Sequence, residues 1–392
     1  MALYRHALAW GLALPAALLA WQDRVAAGGF AGPGLDVPIL AGPPAVNLGS
    51  QERLQMAFGT VKPDRGSQVV AKARASLVDQ PLSAPTIMAL MHGKQDEASR
   101  RALAQLAQRV TRRDSVAQLY LMQDAARQKD DARGLVHLDR VLTVSPATAT
   151  VVHPVMAKAL SEEPFRKALT AYGKRPWFRA FVSHAVGAAP DTGSAAVLLS
   201  ESGVQGEDWF APQATRLIGR LANEGRVDAA RQFAVDELGA RADVLDMFDF
   251  TPGTTAQATA PLTWELARGM NARTVYRKNI GVEIEVDAGR SVLALRRTTA
   301  LAPGSYWFDQ TLAPGAAGAP LRMSWQMACI NQAARPVRWS QPVPYQAVAV
   351  RYRSSLAIEP GCSVQEWRFR VTAPEGFEVG QLILSAVDLV RQ

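Results

Sequence analysis

No histidine follows His184, and only two cysteines, Cys329 and Cys362, occur in the 392 residues. The first absence removes histidine acid-base chemistry and histidine metal sites from the C-terminal half of the chain. The second leaves too few thiolates for a cysteine metal cluster, and no cysteine lies near the N-terminus where a lipid could be attached. Neither a Gly-x-Ser-x-Gly elbow, a His-Glu-x-x-His pair nor a phosphate-cradling Gly-x-x-x-x-Gly-Lys-Ser/Thr loop is present. Lysine is sparse too, with Lys278 the only one after residue 175. The formal charge of +8 therefore rests on arginines that sit singly or alternate with apolar residues. Without a dense basic run, nucleic acid is not an expected partner.

Long apolar runs are also missing. The longest uncharged stretch near the start, Ala7 to Trp21, follows Arg5 and His6 and precedes Gln22-Asp23-Arg24. It is shorter than the roughly 20 residues that span a bilayer, and it fits the apolar part of an export signal. Val25-Ala26-Ala27 before Gly28-Gly29 offers a small-x-small cleavage site, so residues 1–27 read as a signal peptide or an uncleaved signal anchor. A buried N-terminal helix of a cytosolic protein is the competing reading. On the first reading the remainder is exported to the periplasm, with the membrane a partner through this segment. Residues 28–49, rich in Gly and Pro, read as a linker.

From residue 50 to 245 the chain is made of helix formers broken by short Pro, Gly or Asp punctuation, which predicts consecutive helical hairpins. Ile87 to Leu106 can be laid over Leu121 to Arg140 at an offset of thirty-four residues. Asp96 then falls on Asp130, Ala98 on Ala132, and the second unit closes with Leu142-Thr-Val-Ser-Pro146. This resembles a tetratricopeptide repeat in period and terminal proline, although Tyr120 only weakly represents the early aromatic. A third trace, Leu221 to Leu238, is out of phase, and Thr148 to Gln205, with Pro154, Pro164, Pro176 and Pro190, reads as irregular. Such an array implies a concave surface for a protein partner. His92, His137, His153 and His184 are spaced irregularly, so no metal and no cofactor is expected, and these residues read as packing or surface groups.

Near Asp246 the periodicity changes to two. Leu321, Met323, Trp325, Met327 and Cys329 share one face of a strand, and Trp367, Phe369 and Val371 share one face of another. Their two cysteines are expected to pair in an oxidising compartment. Met247-Phe-Asp-Phe250, Pro261-Leu-Thr-Trp264, Leu301-Ala-Pro-Gly-Ser-Tyr306-Trp-Phe308 and Gly380 to Val390 follow in an order that resembles the galactose-binding-like jelly rolls of carbohydrate-binding modules. The resemblance implies an antiparallel β-sandwich over residues 246–392 that contacts glycans. Alternation places Trp264, Trp325 and Trp367 in a core and turns Trp307 outward, while Trp339 and Tyr345 lie in a proline-punctuated stretch where their rings would border a groove. Packing against other parts of the chain is the alternative for Trp307 and Trp339.

Glu283 and Glu285 share a strand face, yet no pocket is evident for them, so the expectation is a solvated face rather than a catalytic pair. The sequence thus predicts a non-catalytic, multidomain α plus all-β envelope protein, its array holding a protein partner and its jelly roll an acidic polysaccharide favoured by Arg322, Arg338 and Arg368. A scaffold without sugar binding and a glycan-active enzyme are the other two readings.

Overall fold

The structure, a computed structural model, describes residues 63–392 apart from Gln95, Pro252, residues 316–319, Ala333, Phe377 and Glu378. The expected signal segment, 1–27, and linker, 28–49, lie outside the described residues. Among those described, no helix is long and apolar enough to cross a membrane. The chain separates into two compact units, one ending at Ser194 and one beginning at Ala195.

The first unit is helical. In order come α1 (Pro63–Asp79), α2 (Ala84–Leu90), α3 (Glu97–Val110), α4 (Ser115–Arg127), α5 (Asp131–Val144), α6 (Ala149–Ala159), α7 (Glu163–Thr170) and α8 (Pro176–Ala188), and α9 (Thr192–Glu201) starts at its end. The thirty-four-residue offset is visible in the caps. Asp96 accepts from the Ser99 amide at 2.6 Å to open α3, and Asp130 accepts from the Arg133 amide at 3.0 Å to open α5. Helices α2 and α3 pack as one pair and α4 and α5 as the next, with α3 also against α4. Tyr120 is buried and donates to Glu97 at 2.9 Å. Asp124, also buried, takes two bonds of 2.8 Å from Arg101. The stretch 148–205, irregular as a repeat, is helical like the rest of the array, as the helix-former pattern predicts. Pro164 and Pro176 occupy first-turn positions, where the missing N–H is no loss, so they start α7 and α8 rather than break them.

The second unit carries α10 (Phe210–Asn223), α11 (Val227–Leu238) and α12 (Ala242–Asp246) ahead of eleven strands among the described residues. The smaller sheet has the order β1 (Glu265–Leu266), β5 (Ser291–Thr299), β10 (Gln365–Thr372), β7 (Arg322–Cys329), β8 (Val337–Val343). The larger has β2 (Arg268–Gly269), β3 (Ala272–Arg277), β4 (Gly281–Asp287), β11 (Val379–Arg391), β6 (Gly304–Pro314), β9 (Val350–Ile358). Every strand pairing is antiparallel, and the non-consecutive neighbours make a sandwich of crossed connections. Gly281 opens β4 at φ 111°, where a Cβ would stand 2.4 Å from the Leu384 carbonyl oxygen, so glycine is required for β4 to close on β11.

The two strands that the period-two pattern marks, β7 and β10, are direct partners, with Met327 opposite Trp367 and Trp325 opposite Phe369. Trp264, Trp325 and Trp367 are fully buried, and each indole N–H finds an acceptor: the Phe248 carbonyl at 3.1 Å, Gln310 at 2.7 Å and Thr299 at 3.0 Å. Cys329 and Cys362 form a disulfide beside this cluster.

The helices that precede the strands are tied to the sandwich by Arg297 on β5. Its side chain is buried, its guanidinium donates to the Leu245 carbonyl at 2.8 Å and also to that of Met247, and it lies 5.3 Å from the Phe248 ring and 5.6 Å from the Trp264 ring. Burial pushes its pKa down to about 10, against the opposing pull of Asp249 and Asp246. A cation this deep is tolerated because carbonyls and ring faces replace water.

Two stability outcomes follow. Arg297→Ala orphans two carbonyls and leaves a void, so urea unfolding should show a loss of about 3 to 5 kcal/mol. Reduction of the disulfide, whose cysteines are 33 residues apart, should lower stability by about 3 to 4 kcal/mol on the chain-entropy account. Far-ultraviolet circular dichroism of the reduced chain should retain the strand signal, since the tryptophan cluster needs no crosslink to bury its rings.

Candidate functional site

Strand β6 decides which side chains the larger sheet offers to solvent. Tyr306, Phe308, Gln310 and Leu312 are buried, which turns Ser305, Trp307, Asp309 and Thr311 to the outer face. Phe308 leaves no freedom in this choice, because its ring stacks 5.8 Å from Trp367 and meets Trp325 at 5.1 Å. Trp307 is accordingly 39% exposed, the alternation-based expectation for it. Its neighbours across the two flanking strands are Ser355 on β9 and Val390 on β11.

One step along the face sits a charged cluster that the sequence reading did not find. Asp309, buried under two arginines, accepts from Arg353 Nε at 2.7 Å and Nη2 at 2.7 Å, and from Arg351 Nη2 at 2.8 Å. The Arg353 guanidinium is also 5.7 Å from the centre of the Trp307 ring. Bonding to Arg353 above all, then to Arg351, outweighs desolvation and holds the Asp309 carboxyl down at about 2. Both arginine side chains stay more than half exposed, at 65% for Arg351 and 54% for Arg353, so each keeps N–H donors facing water. Two cations share one carboxylate beside an indole face. Such an arrangement can stack an apolar ring face and donate hydrogen bonds to oxygen acceptors on its edge.

The other two residues singled out in the sequence lie elsewhere. Trp339 on β8 is paired with the buried Met327, so it points between the sheets, with its ring 5.4 Å from Phe308 and 6.1 Å from Trp367. Tyr345 packs half-buried on the core and lines a cavity of about 10 Å³, too small for a sugar ring. The structure therefore does not gather Trp307, Trp339 and Tyr345 on one surface. Nor do the arginines named in the sequence flank Trp307: Arg338 bonds to Gln332 and Arg368 to Glu366 in the other part of the sandwich. Glu283 and Glu285 do share an outer face, where both accept from Gln381.

In the helical unit His137 is buried against Gln118 at 2.7 Å and His153 against Phe181. Burial lowers both to about 4. Among the described residues no group of histidine, cysteine or carboxylate side chains is arranged to hold a metal ion.

No protein-family model matches the chain, and no curated protein matches it. Solved structures with some likeness include one described as a CBM4 structure, at 13% identity, TM-score 0.26, covering 33% of this chain and 86% of that one. A second is TmCBM61 with β-1,4-galactotriose, at 11% identity and TM-score 0.25, covering 33% and 88%. A third is the module CBM6cm-2 from Cellvibrio mixtus lichenase 5A with cellotriose, at 13% identity and TM-score 0.20, covering 31% and 86%.

The Asp309 cluster predicts an acid-sensitive contribution to stability. Its folded pKa of about 2 lies below the ordinary 3.8, so the stabilisation is complete above about pH 4 and is lost as pH falls toward 2. Urea midpoints measured across that window should fall more steeply for the parent than for Asp309→Asn, which has no proton to gain.

Proposed function

We propose that the β-sandwich binds a carbohydrate polymer weakly on the outer face of its larger sheet, with Trp307 as the stacking platform. The observation that supports this most is the exposed indole held beside Arg351 and Arg353, whose positions Asp309 fixes. A pyranose ring lays its C–H face on such a ring, and the guanidinium groups favour a polymer bearing carboxylates or sulfates. One stacked ring contributes only about 1 kcal/mol beyond its burial, so useful retention comes from several sugar units along a chain. The reading assigns Trp339 and Tyr345 to the core and its rim, and it includes no catalytic step.

The helical unit, with its repeat-like pairs, is proposed to hold a protein partner in a tetratricopeptide-like manner. Residues 1–27 are proposed to direct or tether the chain to the inner membrane, which would place the sandwich in the periplasm during assembly or export of a surface polysaccharide. A scaffold role without sugar draws on the position of Arg353 over the Trp307 ring, since a cation already covers part of that surface.

Affinity chromatography of the full chain on an acidic-polysaccharide gel separates the two. Trp307→Ala should reduce retention about fivefold with an unchanged melting temperature, and retention by the parent should fall as salt screens the arginines. Trp339→Ala should instead lower the melting temperature, because it opens the core beside Phe308 and Trp367. Equal retention of Trp307→Ala and parent would leave the scaffold reading in its place.

A further inference from the structure

The exposed indole of Trp307 has a charged diagonal neighbour on each flanking strand, and the two are of opposite sign. Register pairs Trp307 with Ser355 on β9 and Val390 on β11, and it pairs Asp309 with Arg353 and Asp388. Paired residues share a face of the sheet, so Arg353 stands on one side of the ring and Asp388 on the other, each across a diagonal of about 7 to 8 Å. The burial pattern of β11 agrees: Asp388 and Val390 are exposed, while Val387 is buried and Leu389 packs on the core. One flank of the indole therefore offers hydrogen-bond donors and the other an acceptor.

The fold alone does not account for that acceptor. Asp388 lies directly opposite Asp309, where like charges repel. Arg351 and Arg353 both bond to Asp309, and Asp388 has no ion-pair partner among the described residues. Its carboxylate takes the Leu389 amide at 2.7 Å. An ionised carboxylate has about four acceptor positions, so most of its capacity is open to solvent on the face that carries Trp307.

We propose, on the reading that Trp307 is a stacking platform, that Asp388 selects the sugar by accepting the vicinal hydroxyls of a hexuronate whose carboxylate faces Arg351 and Arg353. In a hexuronate ring the edge bearing the carboxylate lies opposite an edge bearing two neighbouring hydroxyls, so one sugar unit meets both flanks at once. A chain linked through the two ring positions between those edges leaves the hydroxyl pair free and runs along β6. Hydroxyls donating to a carboxylate form charge-assisted bonds, the stronger kind. A sulfate on that edge would be repelled by Asp388, and an ester would remove the protons it accepts. The ligand class thus narrows from acidic polymers in general to polyuronates with a free vicinal pair.

The test is calorimetric titration of the full chain, in calcium-free buffer, with tetragalacturonate and with the same oligomer acetylated on its vicinal hydroxyls. The parent should bind the free oligomer about tenfold more tightly than the acetylated one. Asp388→Asn, which keeps an acceptor for the Leu389 amide and so the local fold, should weaken tetragalacturonate about fivefold and narrow the gap between the two probes. A bystander carboxylate would only repel an acidic ligand, so the same substitution would then tighten binding. Tighter or unchanged binding by Asp388→Asn, or equal binding of the two probes by the parent, would overturn the role of Asp388. Those results leave the platform reading standing if Trp307→Ala still weakens both probes. Binding that Trp307→Ala does not change, or no binding by the parent, would overturn both.

Discussion

The position of Phe308 governs what the sandwich shows to solvent. Its ring is held among Trp325, Trp339 and Trp367, and no other side chain of β6 can take that place without leaving a void in the core. Because a strand alternates sides strictly, burying Phe308 turns Trp307 and Asp309 outward. A register slip of one residue would bury the indole and the carboxylate together and expose Phe308. The large apolar residues of the interior therefore set the chemistry of the exterior, and the site is as rigid as the core behind it.

Electrostatics extends the same order across strands. Asp309 is flanked on β9 by Arg353 and its i−2 neighbour Arg351, and it gathers both guanidinium groups onto one carboxylate. The cluster keeps an excess positive charge beside the indole without letting the arginines swing freely. Arg297 performs a different task deep in the same unit. Its guanidinium sits between aromatic rings and the carbonyls at the end of α12, which makes the helices from Ala195 onward part of the body that carries the strands.

Much of this was legible in the amino-acid order. Alternation identified β7, β10 and the inward tryptophans, and it also turned Trp307 outward. Two cysteines near such strands sufficed to anticipate the disulfide. The thirty-four-residue offset that lays Asp96 on Asp130 finds both residues at helix N-caps. What was not legible depends on register between distant strands. Trp339 reads as a groove residue because prolines surround it, but its pairing with Met327 sends it inward. The Asp309 cluster needs β6 and β9 to be aligned, and nothing within either strand declares that alignment. Arg297 looks like any other arginine of an alternating strand until Leu245 and Met247 come within reach. Pro164 and Pro176, which make the repeat read as irregular, stand in first turns and start their helices, because a proline there loses no hydrogen bond.

The proposed binding face is the outer one around Trp307, not the aromatic core behind it. Hydroxyl-radical footprinting of the full chain, with and without a saturating oligogalacturonate, reads this residue by residue. Oxidation of Trp307 should fall several-fold on binding while that of Trp264, Trp325 and Trp367 stays at its low buried level. Oxidation of Trp307 that is the same in the free and the saturated protein would contradict it.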